Sequence, residues 1–140
     1  MGLRRKSREI ALQFLFGHDF QQLATDAESV EREFELFCAS FDTSTKALPY
    51  ARTLIKGICA QIEEVDHLVK DHSHHWRLER MSLVDRNILR IAIYEMKYGD
   101  ELPAKVAINE ALEIAKQYSK SDSVAFINGI LDGIEPDSNK

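Results

Sequence analysis

Four cations stand within the first eight residues of the chain, in the stretch LRRKSREIALQFLF that covers residues 3–16. The apolar spacing predicts an amphipathic helix, and Arg4, Arg5, Lys6 and Arg8 fall on its opening turns. A helix N-terminus already carries about half a positive charge, so each exposed cation there costs roughly a few tenths of a kcal/mol. Several cations and free backbone N–H groups together form a site for anions such as phosphate. The pattern predicts an anion-binding segment, the basic arm (residues 3–8), with Arg4 and Arg8 one turn apart on one face.

The sequence DHSHH, residues 71–75, holds three of the five histidines of the chain. A metal site needs three or four converging ligands and further groups that orient them. His72, His74 and His75 are too close in sequence for a pair of ligands one helical turn apart, although His67 and Asp71 do have that four-residue spacing. A polar loop between helices is therefore favoured over a metal site, and no metal or other cofactor is expected.

Motifs that carry catalysis are missing from the sequence, which has no HExxH, no GxSxG and no glycine-rich phosphate-binding loop. Glu63, Glu64 and Asp66 form an acidic run, which a solvated helix face explains. Cys38 and Cys59 are isolated thiols outside any CxxC pair, as is typical of a reduced intracellular protein. We therefore expect a cytoplasmic protein that is not an enzyme.

Charge is segregated along the chain. The net charge is −5, from 18 Lys+Arg and 23 Asp+Glu, yet the basic arm holds four cations and no acid. A basic arm on an acidic body favours a local anion site over general adhesion to nucleic acid. No apolar run approaches the roughly eighteen residues of a membrane span, and no secretory signal follows the basic residues.

The elements that must position these residues are helices, because apolar side chains recur at three- and four-residue intervals and strand alternation does not occur. Ser82 with Asp85 resembles a capping box, and Gly99 is typical of a helix C-terminus. We expect an all-α bundle of about seven helices in one domain, residues 1–134, with a short tail over residues 135–140. The predicted helices cover residues 3–17, 26–41, 47–70, 76–80, 82–98, 103–118 and 123–133.

Two sequences in the second half, VDRNILRIAIYEM (residues 84–96) and PAKVAINEALEIAKQYSKSDSVAFINGILD (residues 103–132), resemble the NusB family of bacterial transcription factors. The basic arm resembles the arginine-rich first helix of that family. The resemblance implies an all-α, RNA-binding adaptor without catalysis that pairs with NusE, a small ribosomal protein. The pair binds the boxA element of nascent single-stranded RNA and suppresses premature termination on ribosomal RNA operons. The adaptor thereby joins the antitermination complex of RNA polymerase indirectly.

For RNA, the resemblance implies a first contact segment at the basic arm. Its residues are Arg4, Arg5, Lys6 and Arg8. Guanidinium groups bind phosphate bidentately or stack on the bases that single-stranded RNA exposes.

A second RNA-facing segment is implied between the last two helices, at residues 116–126. Tyr118 and Phe126 alternatively belong to the core, and Asp122 is alternatively, or in addition, the N-cap of the last helix. Asn109 and Asn128 are predicted to be buried groups that tie helix ends together. The side chains implied to meet RNA are Lys116, Tyr118, Lys120, Asp122 and Phe126.

For the protein partner, the resemblance implies contacts at Phe16, Glu79 and Asp85, and an acidic body suits a basic ribosomal protein. Asp85 alternatively serves only the capping box with Ser82. Phe16 stands where many relatives carry Tyr, so any hydroxyl hydrogen bond is lost. Lys6 stands in a run that is often entirely Arg, which weakens bidentate contact there.

Two other hypotheses remain open on the sequence alone. The first is a protein-only helical scaffold or homodimer, in which the basic arm contacts acidic protein surface and no RNA binds. The second is a metal-dependent hydrolase built on the histidine-rich loop.

Overall fold

The secondary structure is helical, which confirms the all-α prediction. The structure is a computed structural model that describes residues 2–40, 45–73, 80–99 and 102–138. Within those ranges the chain forms seven α-helices and no strand. In chain order the helices are α1 (Leu3–Phe20), α2 (Ala27–Ser40), α3 (Leu48–Ala60), α4 (Ile62–His72), α5 (Leu83–Tyr98), α6 (Ala104–Tyr118) and α7 (Ser121–Ser138).

The helices fall into two compact units, Met1–Ile62 and Glu63–Lys140. In the first unit, α1 and α2 each pack against α3. In the second, α5, α6 and α7 pack against one another. The single domain expected over residues 1–134 stays a prediction.

An aromatic cluster lies in the core of the first unit. Phe14 of α1 packs edge-to-face on Phe34 and Phe37 of α2, with ring centroids 5.8 and 5.5 Å apart. His18 stacks on Phe14 at 5.6 Å, and its Nε2 lies 2.9 Å from the carbonyl oxygen of Ala24. These contacts fix the course of the helix that carries the basic arm.

The helix predicted over residues 47–70 is wrong as a single element, because the structure has two helices there. Gln61 separates α3 from α4, with φ −111° and ψ 23°. Its N–H bonds to the carbonyl oxygens of both Gly57 and Ile58, which tightens the last turn of α3. The sequence conceals this break because the apolar spacing continues across it.

The predicted N-terminus of α5 is confirmed, and its C-terminal glycine acts differently from the prediction. Ser82 is the N-cap, and its hydroxyl accepts the N–H of Asp85 at 3.0 Å. Gly99 has φ −74°, outside the left-handed region that C-terminal glycines commonly occupy. A Cβ at this position would lie 2.5 Å from the carbonyl oxygen of Glu95, so the close backbone approach requires glycine.

The predicted surroundings of Asp66 and Asn109 are wrong. Asp66, predicted on a solvated acidic face, is hydrogen bonded to the buried Arg90 of α5. Asn109, predicted buried, is exposed on α6, and Asn128 is half-buried. Asn109 stands outside the stripe of alanine and isoleucine side chains that α6 buries.

The described residues include only part of the histidine-rich segment. The predicted short helix at residues 76–80 lies outside the described residues apart from Arg80, as do His74 and His75. Across the four described ranges, no group of three or more His, Cys, Asp or Glu side chains could hold a metal ion. None of the helices in those ranges has the length and apolar character needed to cross a membrane.

Candidate nucleic-acid interface

The basic arm begins a helix that has no side-chain cap. Gly2 is the N-cap residue, its backbone is extended, and no acidic side chain lies in the first turn of α1. Arg4 and Lys6 are exposed, and Arg5 is half-buried. Neither a cap nor an acid of the first turn compensates the positive helix end. This arrangement is unfavourable for the helix and favourable for a bound anion.

Arg4 lies over an aromatic ring. Its guanidinium carbon is 3.7 Å from the centroid of the Tyr50 ring in α3. Such a contact contributes about 0.5 to 1 kcal/mol at an exposed site. The N–H groups of an arginine that contacts a ring in this way can still bind a phosphate.

Arg8 differs from the other cations of the arm. Its side chain is 5% exposed and interacts within the protein. Ala11 and Leu15, three and seven residues further on, are also buried, so Arg8 falls on the buried stripe of α1. Arg8, predicted to share one face of the basic arm with Arg4, is therefore buried, whereas Arg4 is exposed. The exposed positive charge lies at the other three, of which Arg5 is half-buried.

Ser7 holds the basic arm in position, a role that no sequence signal indicated. Ser7 is 1% exposed, and its hydroxyl donates to the carbonyl oxygen of Ala47 at 2.7 Å. The carbonyl oxygen of Leu3 lies 3.1 Å from the same hydroxyl. Because Ala47 is the N-cap residue of α3, this bond holds the arm against the helix that carries Tyr50.

The connection between α6 and α7 belongs to the second unit. Ser119 is the C-cap of α6, and α7 begins at Ser121. Lys120 between them is exposed, Tyr118 is 39% exposed, and Phe126 is half-buried. Neither aromatic side chain is fully buried, so each has surface that packing in the core does not use.

The remaining charged residues of the connection are exposed. Lys116 forms a solvent-exposed ion pair with Glu113 at 3.0 Å, and such pairs contribute little stability. Asp122 lies in the first turn of α7, which begins at Ser121, so its prediction as the N-cap is wrong. A carboxylate in the first turn still interacts favourably with the helix dipole.

Asp85 of α5 contacts this connection directly. Its Oδ1 accepts the hydroxyl of Ser119 at 2.7 Å, and its Oδ2 accepts the hydroxyl of Ser123 at 2.6 Å. The Ser82 half of the predicted capping box is present, whereas the carboxylate of Asp85 is used by the two serines. Asp85 is 8% exposed. The resemblance implied a partner contact for a side chain that the structure largely buries.

A pocket of about 320 Å³ opens beside these residues. Met81 and Phe126 supply apolar surface, and Asp85, Asp122 and Ser123 supply polar groups. An apolar wall with a few polar groups is the surface that a flat heterocycle such as a nucleobase requires.

Of the residues implied to contact a protein partner, Phe16 is available on the surface of α1. Its side chain is 41% exposed, and Phe20, one turn further along the same helix, is 71% exposed. Phe20 was not among the predicted contacts, although its four-residue spacing from Phe16 indicates a shared face. Glu79 lies outside the described residues.

Two side chains of α2 have shifted pKa values. The pKa of the Glu31 carboxyl lies below its usual range, first because Arg52 hydrogen bonds to it and then because Lys56 does. Burial raises the pKa of the Cys38 thiol, which keeps that side chain protonated and poorly nucleophilic.

Known proteins are similar to this chain over nearly its whole length. The sequence profile of the NusB family matches residues 5–136. The transcription antitermination protein NusB of Desulfosudis oleivorans is 50% identical over 134 residues, which are 96% of this chain and 86% of that protein.

Solved structures share the fold. The structure of T. maritima NusB superimposes with a TM-score of 0.79 at 37% identity, over 95% of this chain and 90% of that one. A chain of the crystal structure of antitermination factors NusB and NusE in complex with dsRNA superimposes with a TM-score of 0.80 at 23% identity, over 98% of each chain. The matched profile and the 50% identity over nearly the full length of the chain lead to one conclusion: this chain belongs to the NusB family.

Proposed function

We propose that this chain is a transcription antitermination factor that binds boxA-type RNA together with NusE. The observation that carries the proposal is the uncapped N-terminus of α1, which bears accessible cations and no acid in its first turn. The helix loses stability from this charge, and phosphate binding compensates the loss. Membership of a family whose relatives are named transcription antitermination proteins supports the same role.

Each predicted RNA-contacting segment has a defined part in the proposal. In the arm, Arg4, Arg5 and Lys6 bind phosphates, while the buried Arg8 supports the arm from inside. In the α6–α7 connection, the lysines bind phosphate, the aromatic side chains stack on bases, and Asp122 hydrogen bonds to a base or a sugar. The connection residues concerned are Lys116, Tyr118, Lys120, Asp122 and Phe126.

NusE is the proposed protein partner, and Phe16 is its proposed contact on α1. The chain then acts in the cytoplasm as an adaptor without catalysis. It brings NusE and nascent RNA together, and through them it acts indirectly on the antitermination complex of RNA polymerase at ribosomal RNA operons.

Titration of a short boxA-type RNA, with and without NusE, tests the proposal. Fluorescence anisotropy should give weak binding to the chain alone and much tighter binding to the pair. A scrambled RNA of equal length measures sequence preference. A duplex of the same sequence is a necessary further arm, because the crystal structure of NusB with NusE contains dsRNA.

A triple variant of Arg4, Arg5 and Lys6 to Ala should lose most of this binding. Its matched control is Lys105→Ala, which removes an exposed cation from the first turn of α6, outside both segments. Equal affinity for boxA-type and scrambled RNA, or full binding by the triple variant, would contradict the proposal.

A further inference from the structure

The Asp85 cluster (Asp85, Ser119 and Ser123) joins three helices of the second unit. Each carboxylate oxygen of Asp85 accepts one serine hydroxyl, at 2.7 Å from Ser119 and 2.6 Å from Ser123. Hydrogen bonds to an ionised acceptor are shorter and stronger than neutral ones, and these distances lie in that range. The carboxylate is therefore committed to two specific donors.

The two serines flank the short segment that leads from the end of α6 into α7. Ser119 is the C-cap of α6, and its N–H bonds to the carbonyl oxygen of Ala115 at 2.8 Å. Ser123 lies in the first turn of α7, and its N–H bonds to the carbonyl oxygen of Lys120 at 2.9 Å. Between the two serines stand only residues 120–122. One carboxylate thus holds both ends of a three-residue segment.

Asp85 is itself held in place. Its N–H donates to the hydroxyl of the N-cap Ser82 at 3.0 Å, and its carboxylate lies in the first turn of α5, where the helix dipole favours negative charge. The helix that follows is well anchored, because Ile88, Leu89 and Ile93 are fully or almost fully buried. The anchor for the connection is therefore the core of the second unit.

We propose that Asp85 is a positioning residue, which holds Ser119 and Ser123 so that the intervening Lys120 and Asp122 are ordered for RNA before RNA arrives. The inference rests on the proposed RNA-binding function and deepens it.

The pocket beside the connection supports this assignment. Asp85 and Ser123 line it together with Asp122 and Phe126, so the cluster shapes the surface on which the proposed RNA contacts stand. A segment that is already ordered loses less conformational entropy on binding. Loss of the cluster should therefore weaken RNA binding about three- to tenfold.

The test compares hydroxyl removal with hydroxyl retention. The double variant Ser119→Ala, Ser123→Ala removes both donors, and the double variant Ser119→Thr, Ser123→Thr keeps them. The alanine pair should bind boxA-type RNA about three- to tenfold more weakly, and the threonine pair should restore most of the affinity. Circular dichroism at the binding temperature verifies that each variant is folded, so that a lower melting temperature does not imitate weaker binding.

Asp85→Ala supplies the second side of a double-mutant cycle. Alone it should reproduce the loss seen for the alanine pair, and in combination with that pair it should add little, because both changes remove the same interaction. Amide hydrogen exchange at residues 120–123 should accelerate in every variant that lacks the cluster, which reports order directly and without RNA.

NusE binding, measured without RNA, separates positioning from partner contact. The inference requires that the double variant Ser119→Ala, Ser123→Ala leaves NusE affinity unchanged while RNA affinity falls. A loss of NusE affinity with unchanged RNA affinity would overturn it, as would alanine variants that bind RNA like the wild type. If the wild-type pair itself fails to bind RNA, the proposed function and this inference fall together. Wild-type binding with indifferent variants overturns the positioning role alone.

Discussion

The guanidinium group of Arg90 binds both carboxylate oxygens of Asp66, with Nε and Nη2 each 2.8 Å from an oxygen. The pair joins α5 to α4 within the second unit, and its side chains are 9% and 18% exposed. The third nitrogen of Arg90 donates to Asn87 Oδ1 at 3.1 Å, and Asn87 Nδ2 donates to the carbonyl oxygen of Leu83 at 2.9 Å. All three nitrogens of a nearly buried guanidinium group are therefore satisfied.

Asp66→Ala should destabilise the protein by about 2 to 3 kcal/mol, because it leaves the buried charge of Arg90 without its carboxylate. Urea unfolding followed by circular dichroism measures the change. The control is Asp71→Ala on the same helix, where an exposed pair with His67 is lost and a change below about 0.5 kcal/mol is expected. Equal effects of the two substitutions would show that the bidentate geometry adds nothing.

Gly99→Ala should destabilise the protein by about 1 to 2 kcal/mol, because the added Cβ must move away from the carbonyl oxygen of Glu95, 2.5 Å distant. Gly17→Ala is the matched control with the opposite sign. A Cβ at Gly17, in the interior of α1, meets no atom within 4 Å, so alanine should stabilise the helix by about 0.5 to 1 kcal/mol. Thermal melts of both variants test the pair, and stabilisation by Gly99→Ala would contradict the backbone argument.

Arg52→Ala should raise the pKa of the Glu31 carboxyl toward its ordinary value of 4.5, because the hydrogen bond from Arg52 is the first cause of its depression. A carboxyl whose pKa is lower in the folded state adds stability above its unfolded pKa and loses that contribution as pH falls through the folded value. The relevant window therefore lies below pH 4.5. An NMR titration of Glu31 in wild type and variant measures the shift, and an identical titration in both would disprove the assignment.

Local patterns predicted much of the fold, and long-range pairs escaped prediction. Apolar spacing located most helices, and Ser82 marked the start of α5, because these signals act over a few residues. Ser7 with Ala47 and Asp85 with Ser123 join residues 40 and 38 positions apart, and nothing in the sequence links them.

The same difference between local and long-range signals separates the contact residues that the sequence located correctly from those that it did not. Exposure of Arg4 and Lys6 follows from their place at the end of a helix, and the sequence located them correctly on the surface. Burial of Arg8 also follows helical spacing, yet its charge concealed its membership of the apolar stripe. Asp85 was assigned by resemblance to a partner, whereas its serine contacts depend on how α5, α6 and α7 pack.

Substitutions at Arg4 and Arg8 should affect RNA binding and stability differently. Arg4→Ala removes a first-turn cation, which gains a few tenths of a kcal/mol, and a contact with Tyr50, which loses about 0.5 to 1 kcal/mol. The net change in unfolding free energy should stay within about 0.5 kcal/mol while RNA affinity falls about three- to tenfold. Arg8→Ala should instead destabilise by about 1 to 3 kcal/mol, because a buried stem and its polar contacts are lost.

Melting curves and RNA titrations on the same samples decide between these roles. Arg4→Lys is the conservative control, since it keeps the charge and loses the planar fork. A large stability loss at Arg4 with none at Arg8 would contradict the burial-based division.

The affinity for RNA should fall as the salt concentration rises, with a slope set by the number of cations that contact phosphates. Neutralising three single-strand phosphates gives a slope of roughly −2 in log affinity against log salt, and further contacts at Lys116 and Lys120 bring it to about −3.5. Raising salt from about 50 to about 200 mM should therefore weaken binding on the order of twentyfold to a hundredfold. Lys120→Ala should reduce the slope by about 0.7, whereas Lys105→Ala should leave it unchanged. Titrations at four salt concentrations measure each slope, and a wild-type affinity insensitive to salt would remove the basic arm from the interface.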